Sequence, residues 1–360
     1  MKRKKGKIRM LTLGSLFDGI GGWLLSAQRS GIKPIWSSEI EKFPMAVTAY
    51  HFPEVKQMGD ITLLDGATLP PVDIITAGSP CQNFSTAQWA YRKGLDGEKS
   101  GLLKTAIELV HKMRNATGGR FPRWLVWENV CGAFSTNSGA DYREVLQEIT
   151  KASIPMPENN KWADAGLVQC NGCEVAWRVL DAGGWGLPQR RRRIFLTANF
   201  SESGGCAKEV LLIPQGLYGD GTEVCCSWEK PASTAEKSTR TASRVINEGG
   251  NLAVKIRSGK GEGKAGKGAL IGIEQSFTLG AVQDQTLFQE DDKGGYVIRR
   301  FMPLEQERLQ GLPDNWTYLP DNKLCSNAVR YRAIGNGMAQ PCSDWILKRI
   351  AEVEREDKNE

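Results

Sequence analysis

The sequence predicts an α/β fold in which a larger domain is joined to a smaller, irregular one. Short apolar runs of strand length alternate with amphipathic helical stretches through about the first 198 residues. The first of these strands leads directly into a glycine turn and a helix, which is how nucleotide-binding α/β domains begin. From about Asn199 onwards, helical periodicity fades while glycine, serine and threonine become more frequent.

The first strand covers Ile8 to Phe17 and is followed by the glycine turn from Phe17 to Gly22. A helix begins at Trp23, and Gly31 is a suitable end for it. The dinucleotide fingerprint is broken because Leu24 stands where a third glycine is required. The turn therefore disfavours pyrophosphate and still allows a smaller nucleoside, although an ordinary strand-to-helix turn is the alternative.

Two acids follow at positions that suit a nucleoside. Glu39 ends a strand about 20 residues past the turn, where α/β nucleotide folds place a carboxylate on the ribose hydroxyls. The alternative is an acid in the first turn of the next helix, from Ile40 to Tyr50. Asp60 and Ile61 end a third segment, and they either contact an adenine edge or form a simple turn.

Cys81 is the candidate nucleophile. It follows the buried strand 72–77 through Gly78-Ser79-Pro80, which places it at the carboxyl end of a strand, where α/β sheets bind ligands. A buried, inert thiol is the alternative. The polar, glycine-bearing stretch 92–101 resembles a mobile lid.

An acid and a run of arginines follow. Glu128 comes directly after the buried strand 124–127 and is expected on the same edge of the sheet as Cys81. Helices are expected over 102–113 and 142–149, and strands over 176–180 and 194–197. The four arginines from Arg190 to Arg193 lead into the last of these strands. Side chains alternate with period two in a strand, so alternate arginines must point in opposite directions.

Composition limits the classes of protein. The chain has 360 residues and a net charge of +6, which is compatible with a polyanionic partner. No apolar run is long enough for a membrane span, and no secretory signal precedes the first strand, so a cytoplasmic location is expected. Nine cysteines indicate free thiols, and Cys170-Cys173 has no second pair, so no metal is expected. With only His51 and His111 present, most histidine-based catalysis is excluded.

The later part of the chain carries a basic footprint. Between Lys230 and Gly268 there are nine Lys or Arg against three Asp or Glu, which suits phosphate neutralisation. The glycine-lysine stretch 255–268 is equally compatible with a disordered linker. A short helix is expected over 305–314, a glycine-bearing turn over 332–338, and an amphipathic helix at the end of the chain.

Taken together, these motifs resemble the C5-cytosine DNA methyltransferases of bacteria and phages over nearly the whole chain. Six motifs occur in the family's order: the methyl-donor loop at Phe17–Gly22, the nucleophile motif at Pro80-Cys81-Gln82, the acid motif at Glu128-Asn129-Val130, the alternating arginines with Gln189, the small-domain block at Arg299 or Arg300 through Pro303, Glu305, Arg308–Gly311 and Pro313-Asp314, and the last motif at Gly335-Asn336. Met302, Ser79 and Gly337-Met338 depart from the common residues, but none of these changes removes a reacting group.

The resemblance implies a fold and a reaction. The fold is the Rossmann-like mixed sheet of S-adenosylmethionine-dependent methyltransferases, with a catalytic domain over 1–198 and 325–360 and a target-recognition domain over 199–324. The reaction transfers the donor's methyl group to carbon 5 of a flipped cytosine in a specific duplex DNA sequence. Cys81 would add to carbon 6, Glu128 (with a pKa raised by burial) would hold or protonate N3, and Arg193 would meet O2.

The resemblance also assigns the remaining residues and partners. Arg191 would hold the loop or a phosphate. Donor contacts are expected from Phe17, Gly19, Gly21, Glu39, Asp60, Ile61 and Asn336. DNA contacts are expected from Gln82, Ser85, Arg92, Gln189, Lys255, Arg257 and Lys260. A monomer is predicted, with a cognate restriction endonuclease as a further partner that the family allows and with no membrane association.

Three other functions are weighed against this reading. The same chemistry on transfer RNA is the nearest, because transfer RNA cytosine methyltransferases share these motifs. A catalytically silent nucleic-acid-binding protein of the same fold is opposed by the intact Cys81, Glu128 and Arg193. A nicotinamide-dependent dehydrogenase is disfavoured by the broken glycine fingerprint.

Overall fold

A computed structural model describes residues 9–80, 98–201, 207–212, 252–256, 269–281, 285–290, 293, 295–320 and 322–356. The chain divides into two compact units. The first unit comprises Met1–Leu180, Arg192–Leu217 and Cys342–Glu360, and the second comprises Asp181–Arg191 and Tyr218–Pro341. These ranges overlap the predicted domains without sharing their boundaries, and the roles assigned to the two domains stay predictions.

Strands and helices alternate through the first unit. The strands of the chain are β1 (Thr12–Leu16), β2 (Lys33–Ser38), β3 (Lys56–Gln57), β4 (Ile74–Ala77), β5 (Trp124–Val130), β6 (Ala165–Cys170), β7 (Cys173–Asp181), β8 (Gln189–Arg190), β9 (Arg192–Asn199), β10 (Leu252–Ile256), β11 (Ala269–Ile273), β12 (Ser276–Phe277), β13 (Gln285–Glu290) and β14 (Tyr296–Arg300). The helices are α1 (Gly22–Arg29), α2 (Lys42–His51), α3 (Glu98–Ala116), α4 (Ala140–Thr150), α5 (Ala207–Leu211), α6 (Pro303–Leu309), α7 (Asn327–Asn336) and α8 (Gln340–Glu356). Within the described part of the chain, no helix is both long and apolar enough to cross a membrane.

The first unit is built on an eight-stranded mixed sheet with the order β3-β2-β1-β4-β5-β9-β7-β6. Strands β3, β2, β1, β4 and β5 are parallel to one another. Strand β9 is antiparallel to β5, and β6 is antiparallel to β7. This confirms the predicted α/β class and mixed sheet. Leu16, Ser38 and Ala77 end neighbouring parallel strands at one level, where Ala77 pairs with Trp127, and β5 continues past them to Val130. We call this edge of the sheet the rim.

Both faces of the sheet are covered, which explains the apolar character of its central strands. Strand β4 is buried along its whole length. On one face, α3 and α4 contribute side chains such as Leu109, Met113 and Leu146 to a continuous hydrophobic core. On the other face, α1 contacts α8, where the Ser26 hydroxyl donates to Asp344 Oδ1 at 2.7 Å.

The boundaries of several elements differ from those expected. Residues 98–101, predicted as part of a loop, belong to α3, and residues 332–336, predicted as a turn, belong to α7. The acid motif lies within β5 rather than after it, because Glu128 still pairs with Phe195 of β9. Strand β6 was not predicted, since its sequence Ala-Gly-Leu-Val-Gln-Cys shows no clear alternation of polar and apolar residues.

The second unit has more regular structure than the sequence indicated. Its described residues form a four-stranded antiparallel sheet with the order β11-β10-β13-β14 and a short pair, β12-β8. Helices α6 and α7 are joined by a buried ion pair in which Glu307 Oε1 accepts from Arg330 Nη2 at 3.0 Å and from Thr317 N at 2.9 Å. The four strands are only five or six residues long and stand between glycine-rich stretches of sequence such as 257–268, so periodicity alone missed this sheet.

Glu354 joins α8 to the start of β5. Its side chain is 2% exposed, accepts from Trp124 Nε1 at 2.8 Å and pairs with Arg123. Glu354→Ala leaves the buried indole N–H and the arginine without this partner, so we expect a loss of about 3 kcal/mol in the free energy of urea unfolding.

The matched control is Glu352→Ala on the same helix. Glu352 pairs with Arg349 three residues away and is partly exposed. A surface pair contributes about 0.5 kcal/mol, so this variant should unfold almost like wild type. Equal losses in the two variants would show that the buried contacts of Glu354 do not hold the helix.

Candidate active site

The glycine turn after β1 has the backbone conformation that its sequence suggests. Phe17, Gly19 and Gly21 have φ angles of 55°, 57° and 81°, all in the left-handed region. Glycine enters this region without strain, whereas Phe17 does not. A side chain built at Gly19 would meet no heavy atom within 4 Å, so the space above the turn is open to a ligand.

Glu39 lies at this turn, and its contact with the ribose hydroxyls stays a prediction. Its Oε2 accepts from the Gly19 N–H at 2.8 Å, and its Oε1 accepts from the N–H groups of Ile40 and Glu41 at 2.8 and 2.9 Å. These three bonds fix the carboxylate and leave part of its capacity of about four acceptor sites for a ligand. Ile40 was not singled out from the sequence, yet its side chain is 67% exposed beside the acid.

The third predicted segment reaches the same end of the sheet. The Ser38 hydroxyl donates to Gly59 O at 2.6 Å, which ties this segment to the end of β2. Asp60 accepts from Thr62 N at 2.9 Å and so caps a short 3₁₀ helix. Ile61 is buried in the core. The structure therefore shows the turn and cap that the sequence allowed, and the adenine contact of Asp60 and Ile61 stays a prediction.

Asp18 is a buried acid that the sequence analysis overlooked. Its side chain is 4% exposed and its Oδ2 accepts from the Thr48 hydroxyl at 3.2 Å. Its Oδ1 is buried and has no hydrogen-bond partner among the described residues. Burial raises the pKa of Asp18 to about 7, with a smaller contribution from the negative charge of Glu39, while Ser15 and Thr48 lower it. The available signal was a lone acid inside an otherwise apolar glycine turn.

Cys81 and its neighbours Gln82, Ser85 and Arg92 lie outside the described residues. The chain that leads to them is described as far as Pro80. The Ser79 hydroxyl accepts from Trp127 Nε1 at 2.9 Å and from Asn129 Nδ2 at 3.0 Å. These two bonds fasten the end of β4 to the last residues of β5, on both sides of Glu128. Nothing in the sequence pattern predicted that Ser79 and Asn129 connect the ends of β4 and β5.

Glu128 and Arg193 are brought together on neighbouring strands of the rim. Arg193 Nε lies 3.3 Å from Glu128 Oε1, and each side chain is only 14% exposed. The antiparallel register places Val130 opposite Arg193, so the two charged side chains converge at the end of β5. An acid and a cation thus share one sheltered position beside the strand that leads to Cys81.

Cys131, which follows β5 directly, is a poor nucleophile. Burial raises the pKa of its thiol, and the nearby charges of Arg192 and Arg193 only partly oppose this. Burial likewise raises the pKa of Cys173 to about 12. Because the thiolate is the reactive form, both cysteines stay protonated and inert.

The run of arginines alternates as the strand period requires. Arg190 and Arg192 are exposed, Arg191 is buried and Arg193 is half-buried. In the second unit, Arg191 is 2% exposed and donates to the carbonyl of Leu279 at 3.2 Å, to that of Gly335 at 3.2 Å and to that of Gly337. It therefore holds backbone together, which matches the loop-holding alternative more closely than contact with a phosphate.

Gln189 and Asn336 also belong to the second unit. Gln189 is fully buried, and its amide donates to Leu309 O at 2.8 Å and accepts from Leu279 N at 3.2 Å. A buried amide with backbone partners has no surface to offer a duplex, so the structure places Gln189 in the packing of this unit instead. Asn336 is the last residue of α7, and its contact with the donor stays a prediction.

The basic footprint is only partly described. Lys255 lies in β10 opposite Leu270, whereas Arg257 and Lys260 lie outside the described residues. In the small-domain block, Arg299 rather than Arg300 makes the paired contact, donating to Glu305 Oε1 and Oε2 at 2.7 and 2.8 Å. In the described part of the chain, no group of three or more His, Cys, Asp or Glu is arranged to hold a metal ion.

The described residues form an α/β fold with an acid and an arginine paired at the rim, and sequence comparison gives the family. The family model for C-5 cytosine-specific DNA methylase matches residues 11–205 and 223–352. The chain belongs to the C-5 cytosine-specific DNA methylase family, and its enzyme class is DNA (cytosine-5-)-methyltransferase.

Individual relatives are similar to this protein over nearly the whole chain. The type II methyltransferase M2.BsuMI of Bacillus subtilis is 28% identical over 94% of the chain and 75% of its own length. A protein of Escherichia phage P1 described as a DNA N-6-adenine-methyltransferase is 28% identical over 96% of the chain, which spans 62% of the phage protein. The structure of the Dnmt2 methyltransferase of S. pombe aligns with 98% of this chain and all of its own at 14% identity, with a TM-score of 0.58, which shows a shared fold.

A pH dependence follows from the burial of Asp18. A carboxyl group whose pKa is raised in the folded state destabilises the fold as it ionises, so stability should fall as pH rises from about 4 to above 7 and level off beyond that range. Asp18→Asn replaces the carboxyl with a neutral amide of the same shape. At pH 8.5 we expect the variant to gain up to about 4 kcal/mol relative to wild type when both are referenced to pH 4.

Urea unfolding at a series of pH values measures this difference. Asp65→Asn is the control, because the Asp65 side chain is 53% exposed. Parallel pH profiles for wild type and Asp18→Asn would show that Asp18 ionises in the folded protein as an exposed carboxyl does.

Proposed function

We propose that this protein transfers the methyl group of S-adenosylmethionine to carbon 5 of a cytosine flipped out of a specific duplex DNA sequence, through a covalent bond between Cys81 and carbon 6. The observation that carries this proposal is the Glu128–Arg193 pair at the rim, beside the strand that leads to Cys81. Cytosine needs a thiolate, a proton donor and a cation at one place. The chain has Glu128 and Arg193 paired on adjacent strands, and Cys81 follows the end of β4 by four positions in the sequence.

The residues at the glycine turn fit the methyl donor. The open space above Gly19 admits a nucleoside, and the fixed Glu39 carboxylate is available to its two ribose hydroxyls. The exposed Ile40 side chain offers an apolar contact for adenine. Phe17 and Gly21 shape the backbone around this space, and Asp60, Ile61 and Asn336 are the further contacts proposed for it. When bound, the donor supplies an electrophilic methyl group on a sulfonium.

The chain's own groups would then act on the cytosine ring. Carbon 5 is too weak a nucleophile to take a methyl group unaided. The Cys81 thiolate adds to carbon 6, the electron pair of the 5,6 double bond moves towards N3 and O2, and Glu128 delivers a proton to N3. Arg193 stabilises the charge at O2. Carbon 5 is now the nucleophilic carbon of an enamine.

The reaction ends with release of the thiol. Once carbon 5 carries the methyl group, N3 returns its proton to Glu128, water removes the remaining proton from carbon 5, the electron pair of that bond restores the 5,6 double bond and the Cys81 thiolate departs. Neither ring carbon can be reached inside a stacked base pair, so the cytosine has to leave the helix. The stretch that follows Cys81, including Gln82, Ser85 and Arg92, is proposed to cover the flipped nucleotide.

The identity of the substrate separates this proposal from its alternatives. The long segment between β9 and β14 favours DNA over transfer RNA, because groove-reading loops need such a length of chain and residues 230–268 within it are basic. Its basic residues Lys255, Arg257 and Lys260 are proposed to contact phosphates. The name of the phage P1 protein raises transfer to adenine N6 instead, a reaction that would leave the rim acid, arginine and thiol without their proposed tasks.

Sequencing of methylated nucleic acid tests the substrate. We expect DNA from cells that express the protein to carry 5-methylcytosine within one short sequence, as read by bisulfite conversion. Single-molecule sequencing of the same DNA reports N6-methyladenine, and transfer RNA from the same cells serves as a parallel sample. Methylation confined to transfer RNA or to adenine would overturn the proposal.

Cys81→Ser tests the chemical step. The hydroxyl is a far weaker nucleophile at neutral pH, so we expect methyl transfer to fall below detection while duplex binding persists. Wild type should form a stable covalent adduct with DNA that contains a mechanism-based cytosine analogue, and the variant should not. Cys170→Ser, a change in the half-buried thiol at the end of β6, is the control and should retain both activities. Full activity in Cys81→Ser would rule out the covalent route.

A further inference from the structure

A hollow of about 530 Å³ opens on the first unit, apart from the proposed donor and cytosine sites. Two aromatic rings, Phe134 and Trp162, form its apolar side. Ser135, Ser138 and Lys161 supply hydroxyls and an ammonium group. Among the described residues that line it, none is acidic, so the hollow presents hydrogen-bond donors and positive charge.

The hollow lies at the rim. Phe134 and Ser135 belong to the turn that directly follows β5, six and seven positions after Glu128. The opposite wall leads through Asp164 into β6, and Asp164 pairs with Arg192 of β9 at 2.6 Å. One wall therefore starts from β5, which carries Glu128, and the other is tied through Asp164 to Arg192, the neighbour of Arg193 in β9. Arg192 also neutralises the charge of Asp164, which follows Trp162 by two positions in the sequence.

The floor of the hollow is rigid. The buried Tyr142 ring lies edge-on to Phe134 at 4.6 Å between centroids and to Trp162 at 5.2 Å. Trp162 is held further by a hydrogen bond from its Nε1 to Gly139 O at 2.8 Å. A surface that is fixed before a ligand arrives loses little conformational entropy on binding.

The lip of the hollow is strained. Asn137, Ser138 and Asn160 have φ angles of 49°, 55° and 54°, in the left-handed region. Asparagine tolerates this conformation, whereas serine pays about 1 kcal/mol for it. Glycine at position 138 would relieve this strain. Strain of this kind tends to collect at sites that bind or react.

We propose that this hollow seats a backbone phosphate of the bound DNA, outside the flipped nucleotide. Lys161 neutralises the phosphate, the hydroxyl of Ser138 donates to one of its oxygens, and the adjoining sugar packs against Trp162; the Ser135 hydroxyl already donates to Gly132 O at 3.1 Å. The assignment rests on the proposed function, because that function puts DNA at the rim. Phosphate contacts of this kind fix the register of a duplex without reading its sequence.

Lys161→Ala in the full chain tests the assignment. Each neutralised phosphate contributes about 0.9 to the slope of log affinity against log salt for duplex DNA, so we expect the slope to decrease in magnitude by about that amount. Binding should weaken by a similar factor for target and non-target duplexes. The control is Lys112→Ala on α3, whose side chain is 57% exposed and lies on an element that does not line the hollow.

Ser138→Gly provides a second, independent readout. It removes a hydroxyl and relieves the left-handed strain, so we expect the urea midpoint of unfolding to shift upwards while DNA binding weakens. A purely structural serine would show the gain in stability without the loss in binding. Retained DNA affinity in this variant would therefore contradict the role of its hydroxyl.

The remaining outcomes separate this inference from the proposed reaction. An unchanged salt slope in Lys161→Ala, or an equal change in Lys112→Ala, would overturn the phosphate seat even if wild type methylates DNA. A change in slope on transfer RNA but not on duplex DNA would overturn the assignment to DNA. A slope change confined to Lys161→Ala on duplex DNA, in a wild-type protein that transfers no methyl group, would uphold the seat and refute the reaction.

Discussion

The two hydrogen bonds that the Ser79 hydroxyl receives from Trp127 and Asn129 connect the parts of the proposed active site in the first unit. They fix the chain that leaves β4 against the end of β5, where Glu128 stands between the two donors in sequence. A catalytic thiol has to meet its substrate to within a fraction of an ångström. We propose that these two contacts, one on each side of the acid in sequence, hold the chain that leads to Cys81. They also give Ser79, which departs from the common motif, a structural role.

Strand geometry distributes the arginines among different tasks. Four identical side chains in a row have the same charge and the same chemistry, yet Arg191 is buried among backbone carbonyls and Arg193 shares a sheltered position with Glu128. Arg192 is exposed and pairs with Asp164. The period of two in an extended chain produces this division, and the partners on each side determine what each guanidinium does.

The first unit has two buried carboxyl groups, Glu354 and Asp18, that differ in their hydrogen-bond partners. Glu354 is satisfied by an indole and an arginine, so it stabilises the packing of α8. Asp18 lacks such compensation at one oxygen, and burial accordingly shifts the pKa of its carboxyl towards neutrality. Of these two buried carboxyls, Glu354 has cationic and indole donors, whereas Asp18 Oδ1 has no hydrogen-bond partner among the described residues.

The sequence by itself determined the alternation of strands and helices, the placement of Glu39 and Glu128 at strand ends, and the opposite directions of neighbouring arginines. All of these follow from local periodicity and from the rule that ligands meet the carboxyl ends of parallel strands. Only the tertiary structure decided that Gln189 is buried, that Arg191 holds carbonyls of distant residues and that the walls around Phe134 and Trp162 enclose a hollow. These properties depend on residues far apart in the chain, and a local pattern carries no information about which distant backbone group will lie within hydrogen-bonding distance.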